Sequence, residues 1–232
     1  TEITRKEIKR RLDLRDYPIF TIDPVNAKDF DDAINTRDLG DGMTELGIHI
    51  ADVSAYVPRG GAIDQEAYDR ATSTYLVDRV IPMLPEVLSN GVCSLRPRED
   101  KLTYSVLLTV DGGGNVHSWD IRETVIHSKE RFAYEDAQEI LDGGNAKHPL
   151  AKEVLRAGAI AEALTAKRMA EGAIDFDVPE IRVVLNERGQ PVDIITKERK
   201  PANRLIEEFM LLANQAVAKE ASKRGRPLVY RI

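Results

Sequence analysis

The stretch "DDAINTRDLGDGMTELGIHIADV" carries two runs of apolar residues set among polar ones, and they meet at Asp41-Gly42. That dipeptide suits a tight hairpin, so the pattern predicts two antiparallel strands. "LTYSVLLTV" and "VHSWDIRETVI", separated by "DGGGN", form a second such pair, and "IRVVL" and "PVDIIT", separated by "NERGQ", a third. Helical spacing predicts helices over roughly 62 to 73, 130 to 142, 149 to 171 and 201 to 223, the last opening at Pro201. That last segment places Leu205, Phe209, Leu212 and Ala216 on one stripe and Ile206, Met210, Ala213 and Val217 on the next, a face wide enough to be surrounded by protein. The expected fold class is α+β, with mixed, mainly antiparallel sheets packed against long helices.

Composition narrows the setting. With 42% hydrophobic residues in 232, the chain can bury a full core. No apolar run reaches the ~18 residues of a membrane span, and "TEITRKEIKRRLDLRD" lacks the apolar centre of a secretory signal. Cys93 is the only cysteine, which rules out an intrachain disulfide and a Cys-based zinc cluster and suits a reducing compartment. The expected location is the cytoplasm. Residues 1–19 read as a basic lead-in helix or arm containing Arg5, Lys6, Lys9, Arg10 and Arg11. The net charge of -6 runs against the basic excess usual in nucleic-acid binders, an objection that any such function must answer.

The candidate chemistry lies in "FTIDPVNAKDFDDAI", which gathers Asp23, Asp29, Asp31 and Asp32 between apolar flanks at a strand boundary. Neighbouring side chains of a regular strand face opposite ways, so Asp31 and Asp32 converge only if the segment is irregular. Two carboxylates about 4 Å apart repel by roughly 1 kcal/mol in water and about 4 kcal/mol near a protein surface, so convergence calls for a positive partner. Lys28 is one candidate and a divalent cation the other. Oxygen ligands without His or Cys favour Mg²⁺ or Mn²⁺ over zinc. The spacing does not match a helix-loop-helix calcium loop. The plainer alternative is a loop whose aspartates only cap turns and helices.

"TIDPVNAKDFDDA", "GIHIADVSAYV", "STYLVDRVIPMLPEVLSNGVCSL" and "RLIEEFMLLAN" follow one another along the chain. In this order they resemble the catalytic domain of the ribonuclease II and ribonuclease R (RNB) family, on its ribonuclease R-like branch. The resemblance implies a processive 3′ to 5′ exoribonuclease that hydrolyses single-stranded RNA to nucleoside 5′-monophosphates with one or two Mg²⁺ ions, Mn²⁺ being a possible substitute, and without an organic cofactor. The family's acidic signature maps onto Asp23, Asp29, Asp31 and Asp32 as catalytic and metal-binding residues. Its base-stacking tyrosine falls on Tyr75 and a second clamping aromatic on Phe176 in "AIDFDV". Glu208 becomes a contact near the RNA end, with a salt bridge to Arg204 as the structural alternative. Asp52 becomes a support for the site or the RNA path, and His49 reads as a satisfied strand residue.

The family's domain continues past the point matching "PLVYRI", with an arginine-bearing segment that contacts the scissile phosphate, and it is flanked by cold-shock-like and S1-type barrels. Residues 20–232 are therefore expected to be a partial catalytic domain whose partners are single-stranded RNA and the remainder of the parent enzyme. The basic regions missing from it account for the acidic balance, and the piece alone is expected to be weak or inactive. "KERK" at 197 to 200, "KRGR" at 223 to 226, and Arg96 and Arg98 are further basic candidates for backbone contacts. Two other functions fit the sequence: a degenerate module that only holds RNA or protein, and a different Mg²⁺-dependent phosphoesterase.

Overall fold

The computed structural model describes residues 3–174 and 180–230. A short helix α1 (Arg5–Arg10) leads into strand β1 (Leu12–Asp13), followed by β2 (Phe20–Asp23), β3 (Asp32–Gly40) and β4 (Met43–Ala51). Helix α2 (Ala62–Arg70), the short strands β5 (Thr74–Tyr75) and β6 (Val80–Ile81), and a single π-helical turn over Val87–Val92 come next. Long strands β7 (Asp100–Asp111) and β8 (Val116–His127) precede β9 (Glu130–Ala133), α3 (Tyr134–Leu141) and α4 (Ala151–Ala170). A separate hairpin, β10 (Glu180–Leu185) and β11 (Pro191–Lys197), precedes α5 (Pro201–Lys223).

Seven strands form one sheet in the order β1-β8-β7-β4-β3-β2-β9. The three predicted hairpins are present in antiparallel register. Asp41 and Gly42 both take positive φ, at 52° and 74°, as a two-residue turn matched to strand twist requires. The sheet is not antiparallel throughout: β1 joins β8 and β9 joins β2 in parallel, at its two edges. The helix expected from residue 130 begins only at Tyr134, because Glu130–Ala133 are drawn into the sheet opposite Phe20–Asp23. The backbone N–H of Ala133 then donates to the Asp136 carboxylate at 3.0 Å, capping the late start. The lead-in also enters the fold, since Leu14 and Ile19 are fully buried and β1 pairs with the sheet.

Strand alternation sends Ile34, Leu46, Ile48, Val106 and Leu108 to one face, where α3, α4 and α5 cover them. Leu205, Phe209, Leu212 and Ala216 of α5 and Val154 and Ile160 of α4 complete this core. The opposite face holds a smaller cluster of Leu14, Ile19, Phe30, Ala33, Leu95 and Ile126. Beside it runs a buried polar seam: His49 bridges Asn35 Oδ1 (2.8 Å) and Ser105 Oγ (2.6 Å), and Ser105 continues to Thr124 and Thr103. Gly47 makes room for it, since a Cβ there would lie 2.2 Å from Asn35 Oδ1.

Candidate active site

Asp23 ends β2 and Asp32 begins β3, and the chain between them is a loop. Phe30 turns into the smaller core, so Asp29 and Asp31, one residue on either side of it, are left to the outer side. The irregularity that the aspartate spacing demands is therefore present. Asp23 is only 8% exposed, Asp29 and Asp32 are half-buried, and Asp31 keeps an open side.

Three of the four acids are raised by burial and by the charges of their neighbours. Burial raises Asp32 to about 7, with the charges of Asp23 and Asp31 adding to it. Asp23 rises to about 6, chiefly through burial; Asp31 and Asp29 push it further up, while Thr21 and the Arg131 cation hold it down. Asp31 is raised by burial and by Asp29. The Thr21 hydroxyl makes no hydrogen bond of normal geometry to Asp23, so Thr21 Oγ1 and Asp23 Oδ2 are both buried without a partner.

Among the described residues, no three His, Cys, Asp or Glu side chains are gathered closely enough to form a ready-made metal cage. The chemistry still fits a hard cation. Mg²⁺ commonly takes one or two carboxylates and fills its shell with water and phosphate oxygens, and a buried, unpartnered carboxylate oxygen is an acceptor left open for it.

The resident cation is Arg131 rather than Lys28. Lys28 is exposed, whereas Arg131 lies 5.5 Å from the Phe30 ring centre and donates to the Pro24 carbonyl at 2.5 Å. Tyr134, at the start of α3, belongs to the same neighbourhood: burial pushes it to about 12, with Asp32, Asp23 and Glu207 adding. Tyr75 is 71% exposed, and its hydroxyl is raised by partial burial and then by Asp29 and Asp31, which puts an open aromatic ring on the rim of the acid cluster.

The remaining predicted residues separate from this site or lie outside view. Asp52 is 3% exposed and fully committed: Oδ2 accepts from Arg11 at 2.5 Å, and Oδ1 accepts from Ser54 Oγ and the Ala55 N–H. Glu208 is 5% exposed and accepts from Arg168 of α4 at 2.5 Å, so it forms its ion pair with Arg168 rather than Arg204. Its neighbour Glu207 accepts from Arg199, and its charge adds to the raising of the Tyr134 hydroxyl. Phe176 lies outside the described residues. His49 is the satisfied strand residue expected. Arg131, Tyr134 and Glu207 are the residues that sequence reasoning missed; an Arg and a Tyr flanking "FA" just ahead of a helix were the available signal.

The chain is thus an α+β scaffold whose seven-stranded sheet carries an acidic cluster at a strand end and an exposed aromatic on its rim, and comparison with known proteins places it in a family. The RNB domain family model matches residues 11–232, and the chain belongs to that family. Ribonuclease R of Thermotoga maritima is 46% identical over 99% of the chain and 33% of its own length. The structure of Mycoplasma genitalium RNase R in complex with ribose methylated single-stranded RNA superposes with a TM-score of 0.94 at 31% identity, covering 100% of this chain and 37% of that one. Yeast Ssd1, a pseudonuclease, shares the fold at 22% identity, with a TM-score of 0.76 over 97% of this chain and 28% of that one. The chain thus spans about a third of the length of the relatives it matches.

Proposed function

We propose that this chain carries the acidic half of the active site of a 3′ to 5′ exoribonuclease that degrades single-stranded RNA processively to nucleoside 5′-monophosphates. The carrying observation is the Asp23–Asp32 cluster, in which a buried carboxylate oxygen lacks a partner and both acids are raised well above their ordinary range. A bound Mg²⁺, or Mn²⁺ in its place, would supply charge neutralisation and a polarised water at the terminal phosphodiester. Asp23, Asp29, Asp31 and Asp32 would hold the metal. Tyr75 offers an open face on which a terminal base can stack, a contact worth roughly 1–3 kcal/mol that tolerates any sequence. Arg131 holds the loop through Pro24 and Phe30 and moderates the charge of Asp23. The rest of the parent enzyme supplies the basic grip on RNA that a chain of net charge -6 lacks.

The test is Mg²⁺-dependent digestion of a 5′-labelled single-stranded RNA by the full-length parent, wild type against Asp32→Asn. A ladder shortening from the 3′ end and lost in the variant is expected, the loss exceeding the roughly 10–100-fold typical of outer-shell changes. The likeness of the fold to a pseudonuclease keeps a second reading, a module that binds without cutting. RNA left intact by wild type and variant alike would favour that second reading.

A further inference from the structure

The segment "LSNGVCSL" is absorbed by neither the acidic cluster nor the aromatic rim, yet its last residues grip the acid loop. Ser94 is 0% exposed. Its hydroxyl donates to the Lys28 carbonyl at 2.8 Å and accepts from the Phe30 N–H at 3.1 Å, so one side chain bridges the backbone on both sides of Asp29. The Leu95 N–H donates to the Phe30 carbonyl at 2.8 Å, fixing the peptide that leads into Asp31. These bonds replace the ladder that the loop lacks. The gripping segment is itself anchored, because the buried Lys101 ammonium donates to the carbonyls of Gly91 (2.9 Å) and Val92 (3.3 Å) at the end of the π-helical turn. Glu99 neutralises that lysine at 2.8 Å.

We propose that Ser94 is a positioning residue that sets the presentation of Asp29 and Asp31, with Lys101 acting through it by holding the π-helical turn. The functional part rests on the metal-binding reading above. A hydroxyl suits the position because it donates and accepts at once; alanine would leave the buried Phe30 N–H unpaired and release the Lys28 carbonyl.

The test uses Mn²⁺ alone as probe, with the 232-residue chain as wild type, Ser94→Ala and Lys101→Met. Ser128→Ala serves as control, since it removes an equally buried hydroxyl whose bond, to the Glu130 carbonyl, lies off the loop. Ser94→Ala is expected to weaken Mn²⁺ binding at least roughly tenfold, the scale of outer-shell effects, and to speed hydrogen exchange at the Phe30 amide by a similar factor. Lys101→Met should move both readouts the same way by less, and it decides the matter if Ser94→Ala does not fold. Ser128→Ala should lose stability yet keep wild-type values for both. Unchanged Mn²⁺ affinity in a folded Ser94→Ala protein overturns the proposal. If the wild type binds no Mn²⁺, the metal reading fails by itself. Exchange at Phe30 then decides the clamp: faster in Ser94→Ala sustains it, unchanged overturns it.

Discussion

Two kinds of buried acid occur in this molecule, and they differ in what faces them. Asp52 and Glu208 each meet an arginine placed by a distant part of the chain, Arg11 from the end of α1 and Arg168 from α4. Asp23 and Asp32 meet mainly other acids, and the cation that acts on Asp23, Arg131, makes its one side-chain hydrogen bond among the described residues to the Pro24 carbonyl and leaves Nε without a partner. The first kind is finished when the chain folds and contributes to stability. The second is unfinished and stores repulsion that a cation would relieve.

Mutations should divide along that line. The largest effect is expected at Asp52→Asn, which strands Arg11 in the interior. Loss of one partner of a buried pair costs about 3–5 kcal/mol, and Glu7 at 3.2 Å and Glu123 at 3.5 Å remain for Arg11, so a drop of about 3 kcal/mol in urea unfolding is the expected result. A value near zero would erase the contrast.

The neutral interior of the seam gives the next effect. Burial lowers His49 from 6.5 to about 3, so the folded ring stays neutral where the unfolded one takes a proton. Its stabilising share is present above pH 6.5 and is lost as pH falls toward 3, amounting to about 2 kcal/mol by pH 5. Protonation of Asp32 and Asp23 acts the other way over the same range, so the share is read by difference: His49→Gln should gain about 2 kcal/mol relative to wild type between pH 7 and pH 5. Glu208→Gln should cost about 1–2 kcal/mol, less than Asp52→Asn because Arg168 is partly exposed and can turn to water. The smallest effect has the opposite sign. Asp32→Asn is expected to raise the melting temperature of the metal-free chain slightly, by the equivalent of about 1 kcal/mol, because it removes a like charge from an unrelieved cluster. A lowered melting temperature would mean that Asp32 already has a partner.

The acidic cluster and the main elements were legible in the sequence because they are local. Alternation, the Asp41-Gly42 turn and the apolar stripes of α5 need no knowledge of distant residues. What escaped was set by partners far along the chain. Residues 130–133 read as helix on their own pattern, yet the free edge of β2 recruits them as a strand. Glu207 and Glu208 are adjacent in sequence and about 100° apart around a helix, so spacing alone could not say which one meets Arg199 and which one Arg168 of α4. Lys28 was the nearest cation along the chain, whereas the cation in place, Arg131, arrives with β9.

The parallel pairing that sets Asp23 beside Ala133 has a consequence for synthesis. The acid-bearing strand is made early, but its edge partner lies about a hundred residues downstream, and such non-local pairings close slowly. As the chain leaves the ribosome from its N-terminus, Asp23 and the acid loop emerge well before β9 delivers Arg131 and before α3 delivers Tyr134. The acid loop thus meets Arg131 and Tyr134 only after more than half of this segment has been translated.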